Sequence, residues 1–363
     1  MKILFISAAS SIHTVRWVNA LEEKGQEVIL VSLFDHKNMD KNISNKVRVI
    51  YLPHSGTKGY YLNALLLKKI FKKENPDVIN VHYASGYGTL ARMAKLPNII
   101  LNVWGSDVYD FPYESKIKEK ILKKNLKYAK KILSTSYSMA EQTRKFISNE
   151  KQIEVVPFGV DIDKFKAKNM KEKEEIFVFG TVKTLLPKYG IDTIIRAFDL
   201  FCKSLSENEK QKVRLEIYGG GEMENELRKI IQKRSLEKYV LLKGYIVNSQ
   251  VSNVLNKMDV FLLGSRLDSE SFGVAAVEAM ACELPIIATK VSGFKEVIEE
   301  NKTGFLVPVD DIKKMASYMK ILYRDNELRE IMGKYGRRRV ASLYNWDKNV
   351  EKMISEYKNT EMR

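Results

Sequence analysis

Two series of short apolar runs, each run followed by a helical segment, leave this chain very few folds to choose from. The first series is Lys2 to Ile6, Glu27 to Ser32, Val47 to Leu52, Val78 to His82, Ile99 to Val103 and Lys131 to Ser134. The second is Ile176 to Gly180, Arg214 to Gly219, Val240 to Gly244, Val260 to Leu263 and Pro285 to Ala288. Short, largely apolar runs of this kind are strands of a buried sheet, and the helices between them supply the cover on both faces; the pattern predicts an α/β chain with parallel sheets. At 363 residues the chain exceeds one ordinary core, so the two series predict two domains with a cleft between them. Pro157-Phe158-Gly159-Val160-Asp161 and the lysine-rich stretch to Glu175 read as the interdomain connection. The expected division is 1–160 and 161–343, with the segment from Tyr344 to Tyr357 predicted as a helix within a carboxy-terminal piece, 344–363, that returns to the first domain.

Several functional classes fail on specific residues. A dinucleotide enzyme places Gly-x-Gly-x-x-Gly after its first strand, where this chain has Ala8-Ala9-Ser10-Ser11-Ile12-His13. Gly219-Gly220-Gly221 follows a strand in the second series, but a tight strand-to-helix turn explains it as well as a phosphate loop does. Cys202 and Cys282 both sit in apolar helical patterns, which argues for buried thiols in a reducing compartment and against a disulfide or zinc site. The amino terminus, Met1 to Ser11, reads as a first buried strand because its apolar stretch is too brief for a signal peptide. No run of eighteen apolar residues is present to span a membrane.

The net charge of +16 calls for an anionic partner or a tolerance of one, yet no nucleic-acid-binding motif accompanies it. The segment Lys116 to Lys131 concentrates lysines around a stripe of Ile117, Ile121, Leu122 and Leu126, and Leu62 to Lys73 repeats the style. Two readings stand: a solvated helix face, or an amphipathic helix lying on an anionic membrane surface.

The chemistry concentrates in Ser269-Glu270-Ser271-Phe272-Gly273-Val274-Ala275-Ala276-Val277-Glu278-Ala279-Met280-Ala281-Cys282. From Phe272 onward this reads as a helix with small or aliphatic residues on every face, the pattern of a helix enclosed by protein. A carboxylate there, Glu278, costs several kcal/mol of desolvation unless the protein or a ligand pairs with it. Glu270 lies just before the helix, where unpaired amides and the helix dipole favour an anion such as phosphate. Taken singly, Glu270 serves equally well as a cap and Glu278 as one half of a structural ion pair. Together, with Gly273 allowing close approach to the first turn, they point to a ligand.

Glu270 and Glu278 resemble the Glu-x7-Glu motif of retaining glycosyltransferase family 4, whose GT-B fold sets two facing Rossmann-like domains with parallel sheets around a cleft. Val156 to Asp161 resembles the family's interdomain segment, and Ser292 to Val297 followed by Gly304 to Pro308 its carboxy-terminal signature. The resemblance implies that Glu270 orients the donor sugar, Glu278 holds the nucleotide ribose, and the amides at Phe272, Gly273 and Val274 meet the pyrophosphate. Lys183 and Lys188 resemble the family's Arg-x4-Lys pair that grips the diphosphate, with lysine in place of the arginine, so the charge is kept and bidentate recognition lost. Where the family commonly has a histidine before Gly-x-Asp, this chain has Trp104-Gly105-Ser106-Asp107, and that histidine's role does not transfer. His82, His13, Arg16, Trp104 and Asp107 are the candidates on the acceptor side, His82 being the expected catalytic histidine. Stacking of Trp104 and Tyr83 on a sugar competes with plain core packing.

The implied enzyme is a cytoplasmic retaining hexosyltransferase, peripheral on the inner face of the cytoplasmic membrane. It would carry a sugar from a nucleotide-sugar donor, most simply a UDP-sugar, to a lipid-linked saccharide or surface polysaccharide such as O-antigen, capsule or cell-wall glycan. No cofactor and no metal is expected, with Lys183 and Lys188 neutralising the departing diphosphate. Competing readings are a storage-polysaccharide synthase using ADP-glucose, a sugar-nucleotide epimerase, and a non-catalytic polyanion-binding protein.

Overall fold

The computed structural model describes residues 1–148, 151–168 and 176–360. They form two compact units, one of Met1–Phe158 with Asp347–Arg363 and the other of Gly159–Trp346.

The first unit is built on a seven-stranded sheet of β1 (Lys2–Ile6), β2 (Glu27–Leu33), β3 (Arg48–Leu52), β4 (Val78–His82), β5 (Ile100–Val103), β6 (Lys131–Ser134) and β7 (Ile153–Val155). All neighbours pair in parallel, in the order β3-β2-β1-β4-β5-β6-β7. Ile3, Leu4, Phe5 and Ile6 are wholly buried, as a strand covered on both faces requires. The helix Trp346–Lys358 also packs on this unit: Glu356 takes an ion pair from Lys131 at 2.6 Å, and the Tyr357 hydroxyl accepts from Asn80 Nδ2 at 2.5 Å.

The second unit repeats the plan with six strands, β8 (Phe177–Val182), β9 (Val213–Tyr218), β10 (Val240–Gly244), β11 (Val260–Leu263), β12 (Ile286–Thr289) and β13 (Gly304–Val307), ordered β10-β9-β8-β11-β12-β13. Both sheets therefore reverse direction of growth at one place: between β1 and β4, and between β8 and β11. In an open parallel sheet that reversal leaves a crevice beyond the carboxyl ends of the strands.

Two strands escaped the sequence reading. β7 has only three residues and a glutamate at its centre, and β13 lies inside the stretch read as a signature motif. The segment from Asp161 to Lys168 was expected to connect the domains but is packed onto the second unit. Ser252 Oγ donates to Lys164 O at 2.7 Å, Lys168 N donates to Asn256 Oδ1 at 2.7 Å, and Phe165 is buried. The remainder of that stretch, 169–175, lies outside the described residues. The unit boundaries fall at 158/159 and 346/347 because Val160 N donates to Tyr344 O and Trp346 N donates back to Val160 O, which ties the two crossing segments to each other within the second unit.

The basic helix Lys116–Tyr128 spends its apolar stripe on the core, with Leu122 and Leu126 fully buried. Of the expected stripe only Ile117 is exposed, and Glu114 and Glu119 pair with Lys118 and Lys123. The solvated-face reading fits this helix, and the amphipathic membrane reading loses its apolar face here.

Candidate active site

In the second unit the residue that follows β8 is Lys183, and the loop that follows β11 carries Glu270. Across the reversal point they meet as an ion pair, Lys183 Nζ to Glu270 Oε2 at 2.6 Å, with Ser265 Oγ donating to the same oxygen at 3.4 Å. Burial alone would lower the basicity of Lys183, but the charge of Glu270, followed by Tyr189, the hydrogen bond to Glu270 and the charge of Glu278, raises it above the usual lysine value. Lys183 is therefore a fixed cation at neutral pH. Lys188 is exposed, and its Nζ lies 5.1 Å from the centroid of the Tyr189 ring, against 4.5 Å for Lys183 Nζ. Both predicted phosphate-gripping lysines thus gather on one tyrosine.

The short turn Pro187–Tyr189 that carries Lys188 is locked from two directions. A Cβ on Gly190 would lie 2.1 Å from Gly264 O and one on Gly264 would lie 2.6 Å from Gly190 O, so the turn and the end of β11 touch backbone to backbone. Arg266 completes the clamp: its backbone N donates to Lys188 O at 2.8 Å and its guanidinium to Pro187 O at 2.6 Å. The same guanidinium reaches both oxygens of Asp192 at 2.9 Å and of Asp310 at 2.9 and 3.1 Å. The glycine triplet 219–221 sits behind the Lys183 loop, where Leu185 N donates to Gly220 O at 3.0 Å. Its role is close backbone packing, the plainer of the two readings.

The helix runs Val274–Ala281, two residues later than expected, because Gly273 adopts a left-handed φ of 86° and caps it. A Cβ at Gly273 would approach Phe294 Cδ1 to 2.8 Å as well as straining that φ. Phe272 is buried edge-on against Tyr344, with ring centroids 5.4 Å apart, so its side chain packs. The expectation of a helix enclosed on every face needs correcting. Ala276, Val277, Ala279 and Met280 are buried, but Val274, Ala275 and Glu278 share one half-exposed stripe that begins at the amino-terminal turn. Glu278 is therefore placed on an open face, near enough for its charge to act on Lys183. Ala276 N and Val277 N donate to Gly273 O at 2.9 and 3.2 Å, which closes the first turn on its cap, and the positive end of the helix dipole there favours an anion.

In the first unit His13, His82 and Trp104 come together in an aromatic cluster. His13 stacks on Phe158 at 4.2 Å, and Trp104 meets His82, Tyr83 and Phe158 edge-on at 4.6, 5.4 and 5.5 Å. Trp104 is only 8% exposed, so it packs the core and offers no platform to a sugar. His82 is wholly buried, stacked on Phe5 and bonded through Nε2 to Asn80 Nδ2 at 2.8 Å. Burial, then the charge of His13, holds its pKa well below the usual histidine value. A neutral, sealed imidazole does not reach an acceptor hydroxyl, and the expected catalytic role of His82 has no geometric support. Burial and then Arg16 likewise lower His13, to about 4. Asp107 is also buried, accepting from the amides of Ala84, Trp104 and Gly105 at 2.8, 3.1 and 2.9 Å. It fastens the loop after β5 to the loop after β4 instead of contacting solvent.

What the sequence reading missed in this unit is a cavity of about 360 Å³ beyond the carboxyl ends of β1, β2 and β4. Ser10, Ser11, His36, Tyr60, Tyr83 and Tyr87 line it, together with Ala8, Ser85 and Gly86. Tyr83 holds a left-handed φ of 72°, uncommon for a residue with a side chain. The Tyr87 hydroxyl bonds His36 Nδ1 at 2.7 Å and accepts from Leu33 N at 3.2 Å. Of this lining only Tyr83 was a candidate from the sequence; the others are marked out by the reversal point, which needs the strand order.

The chain matches the family of glycosyl transferases group 1 over residues 161–339 and the glycosyl transferase 4-like family over residues 2–136. It aligns over 99% of its length with the Anabaena HepE protein crystallised with UDP, covering all of that chain at 16% identity with a TM-score of 0.83. The fold is GT-B. The two family matches support a GT-B glycosyltransferase. Among relatives, the N-acetyl-alpha-D-glucosaminyl L-malate synthase of Bacillus anthracis is 26% identical over 80% of this chain and 76% of its own. The UDP-Gal:alpha-D-GlcNAc-diphosphoundecaprenol alpha-1,3-galactosyltransferase of Escherichia coli is 29% identical over 80% of this chain and 77% of its own. In this GT-B chain the boundary between the two matches falls beside the division between the two units.

Proposed function

We propose that the protein is a retaining glycosyltransferase of family 4 that moves a hexose from a UDP-sugar to a lipid-linked saccharide at the inner face of the cytoplasmic membrane. The observation that carries the reading is the Lys183–Glu270 pair at the reversal point of the second sheet, beside the amino-terminal turn of a helix whose open stripe bears Glu278. A cation, a row of amides and two carboxylates at this spacing suit a nucleotide diphosphate with hydroxylated groups at both ends. The diphosphate displaces Glu270 from Lys183 and takes its place, Glu270 then accepts from sugar hydroxyls, and Glu278 accepts from the ribose.

Transfer with retention needs no enzyme nucleophile. The acceptor oxygen attacks the anomeric carbon on the face from which the diphosphate departs, the glycosidic bond to phosphate breaks, and a phosphate oxygen takes the acceptor's proton. Lys183, Lys188 and the helix amides hold the negative charge that develops on the leaving group, without a metal. The acceptor sugar occupies the tyrosine-lined cavity of the first unit. The galactosyltransferase of Escherichia coli, whose name gives a diphosphoundecaprenol-linked acceptor, supports the choice of lipid-linked substrate, and the HepE complex supports UDP.

Thermal unfolding with a panel of nucleotide sugars tests the donor site directly. A ligand at a hundredfold excess over its Kd adds about 2.7 kcal/mol to native-state stability, so UDP-sugars are expected to raise the melting temperature and Glu278→Ala to remove most of the rise. No response to any nucleotide sugar would sink the reading.

A further inference from the structure

The helices Gly56–Leu62 and Ala64–Glu74 run on through Asn63, whose backbone is itself helical and whose buried side chain donates to His54 O at 2.8 Å and Gly59 O at 2.9 Å. Helical spacing divides the segment into two faces. The inner face carries Tyr60, Asn63, Ala64 and Leu67, of which Leu67 is fully buried in the core and Tyr60 lines the tyrosine cavity. The outer face carries Lys58, Tyr61, Leu62, Leu65, Leu66, Lys69, Lys72 and Lys73, all exposed. Tyr61, Leu62, Leu65 and Leu66 are 42%, 59%, 76% and 38% exposed, four large apolar side chains in one contiguous patch. A soluble surface seldom leaves such a patch without a partner.

We infer that this outer face is the surface by which the protein docks on an anionic lipid bilayer, with Tyr61, Leu62, Leu65 and Leu66 entering the interface and Lys58, Lys69, Lys72 and Lys73 engaging the headgroups. The charge selects this occupant. The sequence has no acidic residue from Lys41 to Lys73, a stretch that holds eight basic ones, Lys41, Lys46, Arg48, Lys58, Lys68, Lys69, Lys72 and Lys73. Leucine and tyrosine on a helix edged with lysines are the composition of an interfacial helix. A second copy of the chain is disfavoured because a two-fold contact sets the patch against itself and brings its lysines together. Of the two lysine-rich segments that the sequence left open between a solvated face and a membrane helix, Lys116–Tyr128 buries its leucines, whereas this one leaves Leu62, Leu65 and Leu66 exposed.

The inference rests on the lipid-linked acceptor reading and gives it a geometry. Tyr60 faces the cavity and Tyr61 faces outward, so an acceptor whose sugar enters the cavity keeps its lipid in the bilayer to which the neighbouring residues are bound. Flotation with vesicles tests the surface independently of any sugar chemistry. The wild-type chain is expected to float with phosphatidylglycerol-containing vesicles, and to stay behind with phosphatidylcholine alone or in high salt. Leu62→Asp with Leu65→Asp, and separately Lys69→Glu with Lys72→Glu and Lys73→Glu, should each lower bound protein about tenfold or more. Lys123→Glu with Lys127→Glu should float like wild type. Unchanged melting temperatures would show that the exposed substitutions leave the fold intact, and an unchanged UDP-sugar thermal shift in the same variants keeps donor binding separate from membrane binding. Flotation of the leucine variant at the wild-type level, equal binding to neutral vesicles, or a concentration-dependent dimer that the leucine variant breaks would each overturn the inference.

Discussion

Glu270 and Glu278 are expected to fail differently when removed. Glu270→Ala frees Lys183 from its ion pair but removes the carboxylate proposed to position the sugar, so kcat should fall about 100-fold or more while donor affinity is kept or improved. Glu278→Ala would lose the proposed charged hydrogen bonds to the ribose, worth about 1.5–3 kcal/mol, and should weaken UDP-sugar binding roughly tenfold to a hundredfold. Calorimetric titration beside steady-state kinetics separates the two, and equal losses in both measurements for both variants would contradict the assignment. The histidines make a different kind of prediction. His13 has a pKa of about 4 in the folded protein against 6.5 for an unperturbed side chain, and His82 is lowered as well. Above pH 6.5 both folded and unfolded chains carry them neutral, and they leave stability unchanged. Below it the unfolded chain takes up protons that the folded chain refuses, so stability falls with falling pH by about 1.4 kcal/mol per unit for each such site until the folded pKa is reached. Melting temperatures between pH 7 and 5 should show this slope, and His13→Phe should make it shallower. Activity losses in that pH range would then follow unfolding and not the titration of a general base.

The loops around the second sheet's reversal point are where single elements decide function. Gly273→Ala must hold a left-handed φ and push against Phe294, at about 1–3 kcal/mol, and it disturbs the turn proposed to meet the diphosphate. Transfer should drop further than stability, which kinetics at a temperature well below the melting point would reveal. Arg266→Lys keeps a charge but gives up simultaneous contact with Pro187 O, Asp192 and Asp310. The turn bearing Lys188 should loosen, raising the donor KM about tenfold with a smaller effect on kcat; a change confined to melting temperature would show that Arg266 is only a structural clamp. Glu270, Glu278, Lys183 and Lys188 were legible in the sequence because each belongs to a spaced motif. Arg266 and Tyr189 were not, since an arginine that clamps a loop looks the same in sequence as one on the surface. The helix start at Val274 was misplaced because only the backbone angle at Gly273 sets it.

At the level of the whole molecule, the alternation of apolar runs and helical segments was enough to predict two parallel α/β sheets. Eleven of the thirteen strands lie at or within two residues of the predicted runs, because most strands covered on both faces are written as largely apolar runs; Val213–Tyr218 alternates, and Arg48–Leu52 and Val240–Gly244 are only partly buried. Strand order, and with it the reversal points, was not written there. Order depends on which hydrophobic faces meet across the sheet, a property of pairs of segments far apart in the chain. From order follow the tyrosine cavity, the meeting of Lys183 with Glu270, and the sealing of His82 and Trp104, which local sequence had left as acceptor contacts. The lysine-rich helices carry the same lesson. Their compositions are alike, but Lys116–Tyr128 turns its leucines inward and the 56–74 segment leaves four apolar residues outside. Local pattern determined which segments are strand, which are helix, and which carboxylates and lysines have motif spacing, since those depend on neighbours along the chain. Which of the polar and aromatic groups face a ligand, a core or a membrane was decided only by tertiary packing, because burial is fixed by neighbours in space.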